Sequence, residues 1–224
     1  MPTTSRLGAV ALIGFTVAGL VWFWLELAPQ RLGFEDTDSP AVSLAFLRAN
    51  AEVYARAGIA LLVAGLSLIV SAIAVDDLLA PFADPLRRRA VSAIGLIAAA
   101  CFVLHGVLRL GVRPLLYIDG LDRTWGEAGY VTIQLLGVHG FAQASILLLC
   151  AWIVGAAALG LRSRAIPAVL VLLAAIPGLR LLGLLGPLEV AVDGVWLVMM
   201  LAIPVSFVWP SLLGVVLWRR PPSA

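Results

Sequence analysis

The chain has 224 residues, 62% apolar and only 12% charged, where a soluble domain carries about 25% charged residues. No soluble fold of this size could hide so much apolar surface, so the chain belongs in a bilayer. All 15 basic residues are arginine, which excludes lysine Schiff-base chemistry and a P-loop lysine; a net charge of +2, with no basic run longer than Arg87–Arg89, argues against nucleic acid as a partner.

About 20 apolar residues cross a bilayer. Such runs occur at 7–28, 57–75, 91–112, 129–160, 165–186 and 190–218. They predict an all-α, polytopic six-transmembrane-helix bundle, with residues 1–224 as a single integral membrane domain. The first run is longer than the roughly 7–15 apolar residues of a signal peptide and is read as a retained span. Trp22 and Trp24 mark its outer end, as an aromatic belt would.

The first outer loop holds a second kind of element. Ser39 precedes Pro40, a cap followed by a proline at the first helical position. Val42, Phe46, Ala49 and Val53 then recur at helical spacing. This predicts a short amphipathic surface helix over about 40–56 that runs into the second span.

Asp84-Pro85 starts the third spanning helix, and Arg87–Arg89 occupy its first turn. The sixth span ends near Trp218. Contacts between spans are expected at small residues four apart, Ala60/Ala64, Gly95/Ala99 and Ala151/Gly155. Pro177, Pro204 and Pro210 are expected to bend the last two spans.

With six crossings, Arg6, Arg87–Arg89, Arg162, Arg164, Arg219 and Arg220 share one side. Most acids, including Glu35, Asp36, Asp119, Asp122 and Glu189, share the other. The positive-inside rule then makes both termini cytoplasmic.

Polar groups gather in the outer half of the spans. His105, Arg109 and Arg113 lie four residues apart, on one helical stripe. Glu26 closes the first span, His139 and Gln143 lie in the fourth, Arg180 in the fifth, and Asp193 opens the sixth. Arg113 reads as an interfacial, snorkelling residue. A charge at mid-bilayer costs about 2.5–3.5 kcal/mol, so Arg109 needs partners.

Three readings fit this set. The first is an outward-facing Arg/His-lined cavity for binding, or transport, of a small anionic or amphiphilic, lipid-like ligand, built from Glu26, His105, Arg109, His139, Gln143, Arg180 and Asp193. In the second, Glu26–Arg180 or Asp193–Arg109 pairs lock the bundle, and the protein is a non-catalytic accessory subunit of a larger membrane complex. The third is a haem held by His105 and His139, with Gly106 and Gly140 admitting the flat ring. No cofactor is expected on the first two readings. No HExxH helix, GxSxG elbow or paired-carboxylate template appears, so a membrane-embedded enzyme is a fourth reading, ranked last. Cys101 and Cys150 form no CxxC motif and read as small buried residues. The expected partners are membrane lipid, the ligand and another membrane protein.

A basic N-terminus and first span, an outer loop, the stretch NAEVYARAGIALLVAGL, an arginine-flanked third span and the ending VWLVMMLAIPVSFVWPSLLGVVLWRR together resemble a family. It is the bacterial six-span membrane family catalogued as domain of unknown function 4386, and the likeness runs over about residues 6–220. The resemblance implies a six-helix integral membrane fold in a bacterial plasma (inner) membrane. It implies no reaction, ligand or catalytic residue.

Overall fold

A computed structural model describes residues 2–27, 40–117, 123–182 and 193–219. The described residues form helices and turns and no strand. In chain order the helices are α1 (Pro2–Glu26), α2 (Pro40–Ala49), α3 (Ala51–Leu79), α4 (Pro85–Tyr117) and α5 (Arg123–Gln134). A π-helical stretch (Leu135–Ala142) follows without a break, then α6 (Gln143–Ser163), α7 (Ala168–Leu173), α8 (Ala175–Leu182) and α9 (Asp193–Arg219).

Five helical runs are long and apolar enough to cross a membrane: Arg6–Glu26, Ala51–Leu79, Pro85–Gly111, Gly126–Arg162 and Leu201–Arg219. These are the helices of a membrane-embedded protein. The predicted fifth span, 165–186, differs. Of it the structure describes residues 165–182, within which Ala168–Leu181 is apolar and helical but interrupted. At about 1.5 Å per residue this stretch reaches roughly 20 Å, and residues 183–186 of the predicted span lie outside the described residues. Pro177 has no N–H to offer the carbonyl four residues back, and the helix breaks at Ala174. Pro204 and Pro210, by contrast, lie inside the continuous α9.

Sequential long helices pack antiparallel. Gly8 faces Ala74, Gly58 faces Gly106, Gly155 faces Val91, and Gly214 faces Ala9. The guanidinium of Arg6 lies over the ring of Trp218, 5.8 Å from its centroid. One end of the bundle therefore collects Arg6, Arg87–Arg89, Arg162, Arg164 and Arg219, and it is called the arginine end below. There Asp84 caps α4, accepting from the amides of Leu86 and Arg87 at 3.1 Å. Arg88 folds back onto Asp76 at 3.1 Å, and Ser92 donates to the same carboxylate at 2.7 Å.

The closest helix contact is α3 on α4. Gly58 and Gly65, and Ala99 and Gly106, stand seven residues apart on their helices, two turns of a shared seam. A Cβ added at Gly106 would lie 2.8 Å from the Gly58 carbonyl oxygen; one at Gly65 would lie 2.8 Å from the Ala99 carbonyl oxygen. Of the pairs expected from sequence, Ala60, Ala64 and Ala99 are buried, Gly95 lies under Trp152, and Gly155 meets Val91. Side chains of Phe15, Trp22, Phe102 and Phe207 fill the core between α1, α4 and α9, with ring centroids 5.5–6.3 Å apart. Thr16 ties α1 to α9 through the Phe207 carbonyl, 2.5 Å away, three residues before Pro210.

Two local expectations are corrected. Trp24 is 64% exposed, as a belt residue should be, but Trp22 is 6% exposed and belongs to the aromatic core. The helix predicted over 40–56 ends at Ala49. Asn50 takes φ −123°, ψ 28°, and its side chain donates to the Phe46 carbonyl at 3.0 Å. Its buried face is Ser43, Leu44 and Leu47, not Val42, Phe46 and Ala49. The helix packs on Tyr130 of α5, and that partner, instead of a lipid surface, sets its rotation. Ser39 lies outside the described residues.

Candidate functional site

Far from the arginine end, three residues expected to act together do meet. Arg109 is 4% exposed and His105 0%, so both point into the bundle rather than to lipid. One turn of α4 separates them, and Nε of Arg109 donates to Nε2 of His105 at 2.9 Å. Nη2 of Arg109 reaches Glu26, at the last turn of α1, at 2.6 Å. The pair buries Arg109 almost wholly and leaves the Glu26 side chain 34% exposed. A carboxylate from another helix thus lies against the buried guanidinium, which offsets part of the cost of holding a charge away from water. Among the described residues Glu26 pairs with Arg109, not with Arg180 as one expected pairing had it; the side chain of Asp193, expected to pair with Arg109, lies outside the described residues.

The α3–α4 seam creates the place for this guanidinium. Gly58 lets the helices close, and a Cβ there would stand 3.2 Å from Cβ of Arg109. One turn earlier on α3, the Tyr54 ring lies under the guanidinium, 4.6 Å from Cζ to centroid. The Tyr54 hydroxyl donates to Oε1 of Gln134 at 3.3 Å, and Nε2 of Gln134 donates to the Tyr130 hydroxyl at 2.9 Å. This chain joins the cluster to α5 and to the small core under α2. Sequence reasoning passed over Tyr54, Gln134 and Tyr130. Their signal was present: Tyr54 lies four residues before Gly58, and Tyr130 four before Gln134.

Hydrogen-bond logic assigns the His105 tautomer. Arginine only donates, so Nε2 accepts and the ring proton sits on Nδ1. That Nδ1 meets no hydrogen-bond acceptor among the described residues. Neither does Nε1 of Trp22, whose ring stands edge-on to the imidazole at 6.0 Å. Two buried side chains in ring contact thus carry N–H donors with no acceptor among the described residues.

The other expected members separate into two groups. Gln143 and Arg180 form their own pair, Nη2 to Oε1 at 3.3 Å, joining α8 to the start of α6. The side chains of His139, Asp193 and Arg113 lie outside the described residues. The backbone at His139 is π-helical, and Gly137 of that stretch stands over the His105 ring, where a Cβ would lie 3.6 Å from Cδ2. Such π segments recur at functional sites. The face of Gly106 that a haem would need is filled by Gly58 and Leu62 of α3. Nε2 of His105, the nitrogen nearest Arg109, is already bonded.

Elsewhere, an apolar groove of about 210 Å³ is lined by Leu173, Pro204, Val205, Val208, Trp209 and Leu212, away from the polar cluster. No family model, no curated protein and no solved structure matches the chain.

Proposed function

We propose that this is an integral membrane protein that binds the polar end of an amphiphilic, lipid-like ligand at Glu26, His105 and Arg109, beside Trp22 and Tyr54. The observation that carries the reading is the pair of buried donors without an acceptor among the described residues, His105 Nδ1 and Trp22 Nε1. A buried unpaired N–H costs about 1–3 kcal/mol, and an acceptor oxygen on a ligand removes that cost. The charge state of the cluster selects the ligand class. Glu26 already neutralises Arg109, so a free anion would have to displace a carboxylate. An uncharged acceptor, such as a carbonyl, ester or amide oxygen on an apolar body, needs no such exchange. The amphiphilic branch of the sequence expectation is therefore favoured over the anionic one.

The same reading takes the fold as six crossings in a bacterial plasma membrane, arginine end cytoplasmic. Both α6 and α9 terminate at the arginine end, so the chain returns between Arg164 and Asp193; the broken apolar pair α7–α8 begins that return.

Thermal stabilisation of the detergent-purified protein tests the binding claim. A panel would include a quinone, a monoacylglycerol and a fatty acid. An uncharged acceptor is expected to raise the midpoint by several degrees in the native protein and not in Trp22→Phe or His105→Phe. A shift that persists in both variants, or its absence across the panel, overturns the assignment.

The second reading, an accessory subunit, is favoured by one observation: the Glu26–Arg109 bond ties α1 to α4. A stoichiometric partner that co-purifies with the native protein and is lost with Arg109→Leu would support it.

A further inference from the structure

The arginine end carries a second, independent arrangement. On α4, Val91 packs against Gly155 and Gly95 against Trp152, so the stripe facing α6 runs through positions 87, 91 and 95. On α6, Trp152 and Gly155 mark the stripe facing α4, which continues in helical steps through Leu159 to Arg162. Arg87 and Arg162 thus stand on facing stripes at the same end. They lie about 6 Å and about 10 Å beyond the Val91–Gly155 contact, within reach of one another's long side chains.

Both are exposed, and neither guanidinium takes part in the ion pairs formed among the described residues. The acids of this end do not serve them. Asp76 is held by Arg88 and Ser92, Asp84 caps α4 through backbone amides, and Asp77 lies on α3. Two like charges therefore stand at register positions flanking one gap between α4 and α6, at the arginine end. Beside each stands an exposed leucine, Leu86 at 78% and Leu161 at 56%. A charged fork next to apolar surface suits a phosphate that carries acyl chains better than a free ion.

We infer that Arg87 and Arg162 together hold the phosphate of an anionic phospholipid between α4 and α6. Arg89 is the internal control. It has the same charge and lies in the same first turn, but two positions from Arg87, so it faces away from α6.

Native mass spectrometry of the delipidated protein tests this with phosphatidylglycerol, phosphatidylcholine and inorganic phosphate as probes. Phosphatidylglycerol is expected to be retained over phosphatidylcholine. R87Q/R162Q should lower that retention about tenfold, while R89Q leaves it unchanged. An equal loss in R89Q would mean diffuse attraction and overturns the site. Unchanged retention in R87Q/R162Q also overturns it, as does displacement of the lipid by millimolar inorganic phosphate. If the double variant does not fold, the single variants R87Q and R162Q give the same comparison with R89Q. The test leaves the Glu26–Arg109 cluster untouched, so its failure is separate from failure of the ligand reading.

Discussion

Arg109 donates from Nε to Nε2 of His105, 2.9 Å away and one turn back on the same helix. That one bond determines what the imidazole can offer. With Nε2 accepting, the ring presents an N–H on its other side, and the Trp22 ring, whose indole N–H also lacks an acceptor among the described residues, stands edge-on at 6.0 Å. The arginine is itself immobilised, by Glu26 on one helix and the Tyr54 ring on another. The cluster is thus held by contacts from three helices, and on the proposed ligand reading such preorganisation lowers the entropic cost of binding.

The ion pair should behave as a coupled unit. Arg109→Leu strands Glu26 and is expected to cost about 3 kcal/mol. Glu26→Gln should cost less than a fully enclosed partner would, because that side chain is 34% exposed. In a double-mutant cycle, E26Q and R109Q together should cost less than the sum of the two by about 1–3 kcal/mol. Unfolding in detergent micelles measures this. Simple additivity would show that the two charges do not support each other.

Backbone contact at the α3–α4 seam makes a sharper steric prediction. Gly106→Ala places a methyl group 2.8 Å from the Gly58 carbonyl oxygen. Neither backbone can yield locally, and a loss of about 1–3 kcal/mol is expected. Gly111, on the same helix, has nothing within 4 Å of an added Cβ. Gly111→Ala should be neutral or stabilising by up to ~1 kcal/mol. Equal thermal midpoints for the two variants would contradict the seam.

Tyr54 separates stacking from hydrogen bonding. Tyr54→Phe keeps the ring under Arg109 and gives up only the 3.3 Å bond to Gln134. Tyr54→Leu removes both, and should cost a further 0.5–2 kcal/mol, roughly the worth of a cation–π contact. If Phe and Leu are equally destabilising, the ring contact contributes nothing.

Arg164 ends α6 with φ 54°, ψ 19°, the left-handed conformation that favours glycine. Its amide and that of Ala165 cap the carbonyls of Leu161 and Gly160 at 3.4 and 3.1 Å. Arg164→Gly relieves the Cβ strain and should stabilise the protein by about 1 kcal/mol. A lower midpoint would mean that the Arg164 side chain holds the turn.

The apolar pattern made most of the helices legible, because in lipid each backbone amide must be satisfied within its own segment. The Arg109–His105 pair was legible too, since a four-residue spacing on one helix needs no tertiary information. Partner choice was not. Glu26 and Arg180 lie at similar depths in the sequence reading, and only the α1–α3–α4 packing decides that Glu26 meets Arg109. Tyr54 and Trp22 were hidden for a related reason. A tyrosine or tryptophan near a span end reads as an interfacial anchor, whereas here the Gly58–Gly106 closure and the Phe102–Phe207 core draw both inward. The π-helical stretch over 135–142 shares its residue types with an α-helix and left no periodic trace. The rotation of α2 depended on Tyr130, a residue some eighty positions away.

The claim on which the functional account turns is that His105 and Trp22 donate to a bound molecule. A structure of the protein in lipid nanodiscs, at a resolution that shows ordered ligands, examines it directly. The account predicts density for an elongated molecule with an oxygen within about 3.2 Å of Nδ1 of His105. Side chains of His105 and Trp22 closed against hydrocarbon alone, with no density beside either nitrogen, would contradict it.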